Sequence, residues 1–150
     1  MIDRYELLSS SISSIYHDMQ KIQRVEMAKF GLKGPHAQCM LVMSRYPEGL
    51  TARALCEICD KDKASISRTV AELEEAGMVI RKEPNGSRYR ALLILTEQGM
   101  AAATAVSARA QLAVERSGAG LEDEQRQVFY QVLALISRNL HTICMDGLVK

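Results

Sequence analysis

Apolar residues at Tyr5, Leu8, Ile12, Ile15, Met19 and Ile22 recur at alternating spacings of three and four. That is a heptad seam, and it predicts a long first helix ending near Gly31. Gly34-Pro35 breaks the pattern, leaving 31–35 as a linker, and Pro35 suits the first turn of the next helix. That helix is expected over 36–46, with Met40, Leu41 and Met43 turned inward and Pro47-Glu48-Gly49 ending it. Helical periodicity returns over 51–59 and again over 62–76, with only a few residues between the two segments. Thr51 and Asp62 stand where a hydroxyl or carboxylate caps the first free N–H groups of a helix. Ile66, Val70 and Leu73 form the inward stripe of the second segment, and Gly77 fits the left-handed position beyond its end.

Beyond Gly77 the period changes. Residues 78–83 and 91–95 read as strands flanking a Pro84-Asn85-Gly86-Ser87 turn, and Asn-Gly between two such runs is a hairpin signal. An Ala-rich helix with Met100, Val106, Ala110 and Leu112 is expected over 97–116, broken by Ser117-Gly118-Ala119-Gly120. The last helix should run from about 121 to 145, with Val128, Phe129, Val132, Ile136, Leu140 and Ile143 on one side.

Two short helices followed by a basic hairpin suit duplex DNA, with a helix in one groove and a ribbon beside it. The expected fold is mainly α with a small two- to three-stranded β wing. It is a winged helix-turn-helix with long N- and C-terminal dimerisation helices. The expected organisation is a single domain over 1–150: dimerisation helices at 1–34 and 118–150, a DNA-binding lobe at 35–99 and a connecting helix at 97–117. The terminal stripes are too long for the chain's other elements to cover, so a second copy is the expected cover, with mutual packing of the two helices as the alternative.

Composition narrows the partner class only slightly. The chain has 150 residues, 25% charged and 47% hydrophobic, with a formal net charge of +1. Segment 51–96 holds eight cations (Arg53, Lys61, Lys63, Arg68, Arg81, Lys82, Arg88, Arg90) against seven acids (Glu57, Asp60, Asp62, Glu72, Glu74, Glu75, Glu83). Position matters more than the sum, because DNA affinity follows local clusters facing phosphate. Lys61, Lys63 and Arg68 gather at the start of the second segment, whereas Glu72, Glu74 and Glu75 gather near its end. No apolar run is long enough to span a bilayer, and the first residues lack a signal-peptide pattern, so a cytoplasmic location is expected.

Four cysteines (Cys39, Cys56, Cys59, Cys144) without a signal peptide imply free thiols. Cys56-x-x-Cys59 is half a zinc pattern with no second pair at finger spacing. On a helix beside Leu55 and Ile58 these cysteines are expected to pack as small hydrophobes. No nucleophile–base pair, metal cluster or phosphate-cradling glycine loop is evident, so neither an enzyme nor a cofactor is expected.

The chain resembles the MarR (multiple antibiotic resistance regulator) family of winged-helix transcription factors. The resemblance rests on four segments in order: Leu50-Thr51-x-x-x-Leu55-Cys56, then residues 63–70 (Lys-Ala-Ser-Ile-Ser-Arg-Thr-Val), then Leu73-Glu74-x-x-Gly77-Met78-Val79-x-Arg81, then Leu93-Ile94-Leu95-Thr96-Glu97-x-Gly99. It implies an α-rich dimer with intertwined terminal helices and DNA-binding lobes. It also implies a ligand-responsive repressor of a pseudo-palindromic double-stranded operator. One feature departs from the family: Ser87 and Tyr89 stand where its wing usually carries Asp-x-Arg, with arginines at 88 and 90 instead.

The residues expected at DNA are Thr51, Arg53, Lys63, Ala64, Ser65, Ser67, Arg68, Thr69, Arg88, Tyr89 and Arg90. Arg68 suits guanine O6 and N7, short hydroxyls suit phosphate or base edges, and Arg88 or Arg90 suits a narrow minor groove. Thr51 is either a phosphate grip or only a cap.

The resemblance also implies a small-molecule effector site between the dimerisation helices and the lobe, with His17, His36, Cys39 and Arg45 as candidates by location. His36 and Cys39 share one side of a helix, a pair that either serves a metal with a distant Glu26 or leaves His36 closing a helix start. A winged-helix protein–protein scaffold and a cysteine-oxidation sensor are the competing readings.

Overall fold

The computed structural model describes residues 3–86 and 90–148. Their order is α1 (Arg4–Ala28), α2 (Gly34–Met43), α3 (Ala52–Cys59), α4 (Lys63–Glu75), β1 (Val79–Lys82), a 3-10 turn at Pro84–Gly86, β2 (Leu92–Leu95), α5 (Glu97–Ser117) and α6 (Asp123–Asp146). The chain divides into two compact units, residues 1–112 and 113–150. None of the described helices is long and apolar enough to cross a membrane.

In the first unit the helix starts have local chemical causes. Asp3 accepts the Tyr5 N–H at 2.9 Å, Thr51 Oγ1 the Ala54 N–H at 3.1 Å, and Asp62 the Ser65 N–H at 2.8 Å. Each cap satisfies a donor that the first turn leaves unpaired. Helix α1 stops at Ala28, short of the expected end near Gly31, because the chain turns through Gly31 at φ +70° and Leu32 N–H returns to the Met27 carbonyl. That turn buries Met27 and Leu32 together in the core.

Helix α2 starts two residues earlier than expected, at Gly34 rather than His36, and closes at Met43. The His36 ring sets this start: Nδ1 accepts the Lys33 N–H at 3.0 Å, so the backbone is helical from Gly34 onward. Pro35 occupies the first turn, where its missing N–H costs nothing.

Helices α3 and α4 are joined through residues 60–62, with Asp60 left-handed at φ +51°. Beyond α4 the chain leaves through Ala76 and Gly77, where the glycine φ is +72°, and the Met78 N–H bonds the Leu73 carbonyl at 2.9 Å. Only a residue tolerant of positive φ suits the Gly77 position.

The wing is an antiparallel pair with Val79 opposite Leu95 and Lys82 opposite Leu92. Leu50 adds a third, single-residue rung by exchanging two backbone bonds with Leu93, at 2.7 and 3.1 Å. The register corrects the tight Asn-Gly hairpin expected from sequence. The ladder runs only as far as Lys82 opposite Leu92, and Asn85-Gly86 belongs to a 3-10 turn instead of the two-residue loop. Pro84 fixes the φ that such a turn requires.

Thr96 then starts α5: its Oγ1 donates to the Gly77 carbonyl at 2.7 Å and accepts the Gly99 N–H at 3.0 Å. The core that results gathers Met27, Met40, Met43, Leu55, Ile66, Val70, Leu73, Val79, Leu93 and Val106. Each helix and each strand of the unit contributes a side chain to it.

The second unit contains residues 113–117 of α5 and all of α6. Glu122 and Gln125 close the start of α6, the Glu122 N–H donating to Gln125 Oε1 at 3.0 Å. Arg126 reaches back to the Gly118 carbonyl at 3.2 Å. Helix α6 begins at Asp123 and buries none of its residues.

Candidate nucleic-acid interface

The burial of one stripe of α4 determines what the opposite side can offer. Ile66, Val70 and Leu73 are buried, which leaves Lys63, Ala64, Ser67 and Arg68 exposed and Ser65 half-buried at the first turn. Among the described residues neither Lys63 nor Arg68 has an ion-pair partner. Their charges are therefore available to an outside anion. Thr69 is not available. It is only 8% exposed, because a residue three positions after Ile66 and four before Leu73 falls on the inward stripe.

Thr51 is half-buried, and its oxygen already accepts from the Ala54 N–H, so the cap is observed and only the hydroxyl proton remains to donate. Arg53 stands exposed on α3, with Nε 3.2 Å from Glu57 Oε1 one turn on. An exposed pair of this kind holds an arginine only weakly. Arg90 is exposed at the base of the wing loop, while the expected contacts Arg88 and Tyr89 lie outside the described residues.

The acids near the end of α4 are the sequence feature least favourable to DNA. Two of them are occupied inside the lobe. Glu72 accepts from His36 Nε2 at 2.7 Å and lies 3.6 Å from Lys33 Nζ. The His36 hydrogen bond, with Lys33 nearby, holds the Glu72 carboxyl below its ordinary value of 4.5. Glu74 accepts from Arg81 Nε at 2.6 Å and so ties α4 to β1. Sequence reasoning missed both links, since partners 36 and 7 residues apart leave no periodic signal.

The four effector candidates do not converge. His17 is exposed on α1, and Arg45 is exposed beyond α2, with Nε donating to the Leu41 carbonyl at 3.3 Å. His36 and Cys39 are buried at 4% and 3% exposure. His36 has both ring nitrogens engaged, by Lys33 and Glu72, which is the helix-closing role. Glu26, the distant metal partner that the sequence offers it, pairs instead with Lys29 at 2.7 Å and Arg109 at 3.7 Å. Among the described residues no three metal-ligating side chains are grouped.

The helix-turn-helix of α3 and α4, followed by the β1–β2 ribbon, defines a winged-helix protein. Residues 30–90, 61 of the 150, match the model of the MarR family.

Its fold is similar to that of a MarR transcriptional regulator from Methanosarcina mazei Go1, at 21% identity over 95% of this chain and 94% of that one, with a TM-score of 0.82. A MarR family transcriptional regulator from Silicibacter pomeroyi is also similar, at 21% identity over 85% and 86% of the two chains, with a TM-score of 0.70. A third likeness is to a MarR family regulator from Listeria monocytogenes complexed with 26mer DNA, at 19% identity over 100% and 99% of the chains, with a TM-score of 0.76. At these identities the likeness concerns the fold. Among curated proteins none matches this chain.

Proposed function

We propose that this chain is a homodimeric, ligand-responsive repressor that binds a pseudo-palindromic double-stranded operator in the cytoplasm. The observation that carries the DNA reading is the division of charge on α4. Lys63 and Arg68 are exposed and unpaired among the described residues, while Glu72 and Glu74 are held by His36 and Arg81 behind them. A helix with exposed, unpaired cations at its start, and with two of the acids near its end engaged within the lobe, offers those cations to phosphate. Ser65 and Ser67 add donors for phosphate or base edges, and Arg68 has the planar fork that guanine O6 and N7 accept. The first helix of the motif contributes Thr51 and Arg53 near the backbone, and Arg90 with Arg88 supplies the wing. The complex of the Listeria monocytogenes regulator with 26mer DNA supports the same use of this fold.

Dimerisation is supported by the apolar surface the chain leaves open. Leu8, Ile12, Ile15 and Met19 on α1 are exposed, as are Val128, Phe129, Val132, Leu140 and Ile143 on α6. Stripes of this length on a soluble regulator call for a second copy, and a two-fold pair places two recognition helices on adjacent half-sites. Ligand response and repression rest on the resemblance of residues 30–90 to the MarR family.

Selection of bound duplexes from a random pool tests the reading as a whole. An enriched inverted repeat with half-sites about one helical turn apart is the expected result. A pool that fails to enrich any duplex contradicts it.

A further inference from the structure

Arg68 and Glu72 stand four residues apart on α4, the spacing at which side chains on a helix surface meet. Within one turn of Arg68 on either side, residues 64–72, Glu72 is the only acid. A helical side chain leans toward the turn before its own Cα, so the ordinary resting place of the Glu72 carboxylate is over Arg68. The structure shows another arrangement. Glu72 Oε2 lies 2.7 Å from His36 Nε2 and Oε1 lies 3.6 Å from Lys33 Nζ, so both oxygens are turned to the start of α2. Among the described residues Arg68 has no ion-pair partner.

We propose that His36 is a positioning residue for DNA recognition: it holds the Glu72 carboxylate away from Arg68 and so keeps the guanidinium free for a base or phosphate. The inference rests on the DNA reading of α4. The ring suits the task because its second nitrogen is fixed. Nδ1 accepts the Lys33 N–H at 3.0 Å, which leaves the proton on Nε2, aimed at Glu72. The ring is 4% exposed, so water competes little for that proton. Lys33 is the weaker of the two holders, since its side chain is 71% exposed and 3.6 Å away.

Without the ring, the half-exposed Glu72 carboxylate turns back to the cation one turn before it. A guanidinium occupied in this way must give up its partner on meeting DNA, and the released carboxylate then faces the same phosphates. His36 therefore acts on DNA through Glu72 and Arg68, with no contact of its own.

The test pairs anisotropy measurements of affinity for a selected duplex with the NMR signal of the Arg68 guanidinium in the DNA-free full chain. His36→Phe keeps a buried ring but removes the donor to Glu72. Its affinity should fall by between about twofold, the strength of an exposed pair at this spacing, and about tenfold, the loss of a bidentate base contact. His36→Phe/Glu72→Gln should recover wild-type affinity, because a carboxamide does not neutralise Arg68. A merely structural role for His36 predicts that the second substitution leaves the loss in place or deepens it. The guanidinium signal should be that of an unpaired group in the wild type and in Glu72→Gln, and of a paired group in His36→Phe. An Arg68 already paired in the wild type, a loss that the double variant does not recover, or a Glu72→Gln chain that binds as weakly as His36→Phe overturns the proposal. The wild-type signal and Glu72→Gln test it even where His36→Phe fails to fold. Absence of binding to every duplex, with the guanidinium signals as expected, counts against the DNA reading and not against the placement of Glu72.

Discussion

His36 Nε2 lies 2.7 Å from Glu72 Oε2, joining the start of α2 to the outer half of α4 across 36 residues of sequence. Its other nitrogen closes the α2 cap on the Lys33 N–H, so one buried ring positions two helices at once. With Nδ1 accepting, Nε2 carries the proton that it donates to Glu72. Removal of the ring should leave a cavity, an unsatisfied N–H at Lys33 and an unpartnered carboxylate. His36→Ala is expected to destabilise the chain by about 2–4 kcal/mol, measured by urea unfolding.

The same contact gives a pH signature. Because the folded-state value of Glu72 is depressed, its contribution to stability is fully present above the ordinary value of 4.5 and is lost as pH falls through the lower folded value. The stability difference between wild type and Glu72→Gln should therefore be constant near neutrality and shrink in acid below about pH 4.5. Unfolding curves at a series of pH values check this, and a gap that widens in acid would reverse the assigned sign.

Backbone crowding at Gly99 makes a sharper prediction about the wing. A Cβ there would overlap the Met78 carbonyl and approach Leu95 Cδ2 at 3.2 Å. Neither the carbonyl nor the paired strand can yield cheaply, because Thr96 ties this corner to Gly77 at 2.7 Å. Gly99→Ala should cost about 1–3 kcal/mol. Gly120→Ala serves as a partial control, strained by its φ of +87° yet with nothing within 4 Å of the added carbon. The larger drop in melting temperature is expected for Gly99.

The proposed subunit pairing through the terminal helices predicts a change in mass. Phe129 is 49% exposed and Val128 50% exposed on α6. A glutamate in place of either should turn a dimer into a monomer in light scattering while leaving the helical signal of the lobe intact. A wild-type chain that runs as a monomer at micromolar concentration would remove the basis for this prediction.

Much of the lobe is legible in the sequence because its determinants are local. Thr51 and Asp62 mark the starts of α3 and α4, and Gly77 the exit from α4, because a cap or a positive φ is a property of one or two residues. The inward stripe Ile66, Val70, Leu73 also follows from period, and Thr69, expected at DNA, falls on that same stripe. Its spacing implies the burial, whereas its hydroxyl suggests the outer face.

The wing register is not legible in the same way. Asn85-Gly86 favours a tight turn by itself, but Pro84 and the pairing of Lys82 with Leu92 place the bend elsewhere. The contact of His36 with Glu72 is hidden for a different reason. It joins residues on separate helices, and only the packed lobe brings them together.

The outward side of α4 is tested most directly by the salt dependence of DNA binding. Fluorescence anisotropy on a selected duplex, repeated across salt concentrations, should give a steep negative slope of log affinity against log salt. Arg68→Ala should lose roughly 1–3 kcal/mol of affinity if it reads a base. Lys63→Ala should flatten the slope by about 1 if it meets a phosphate. A slope near zero in the wild type, or affinities that both substitutions leave unchanged, would contradict the assignment of this helix face to DNA.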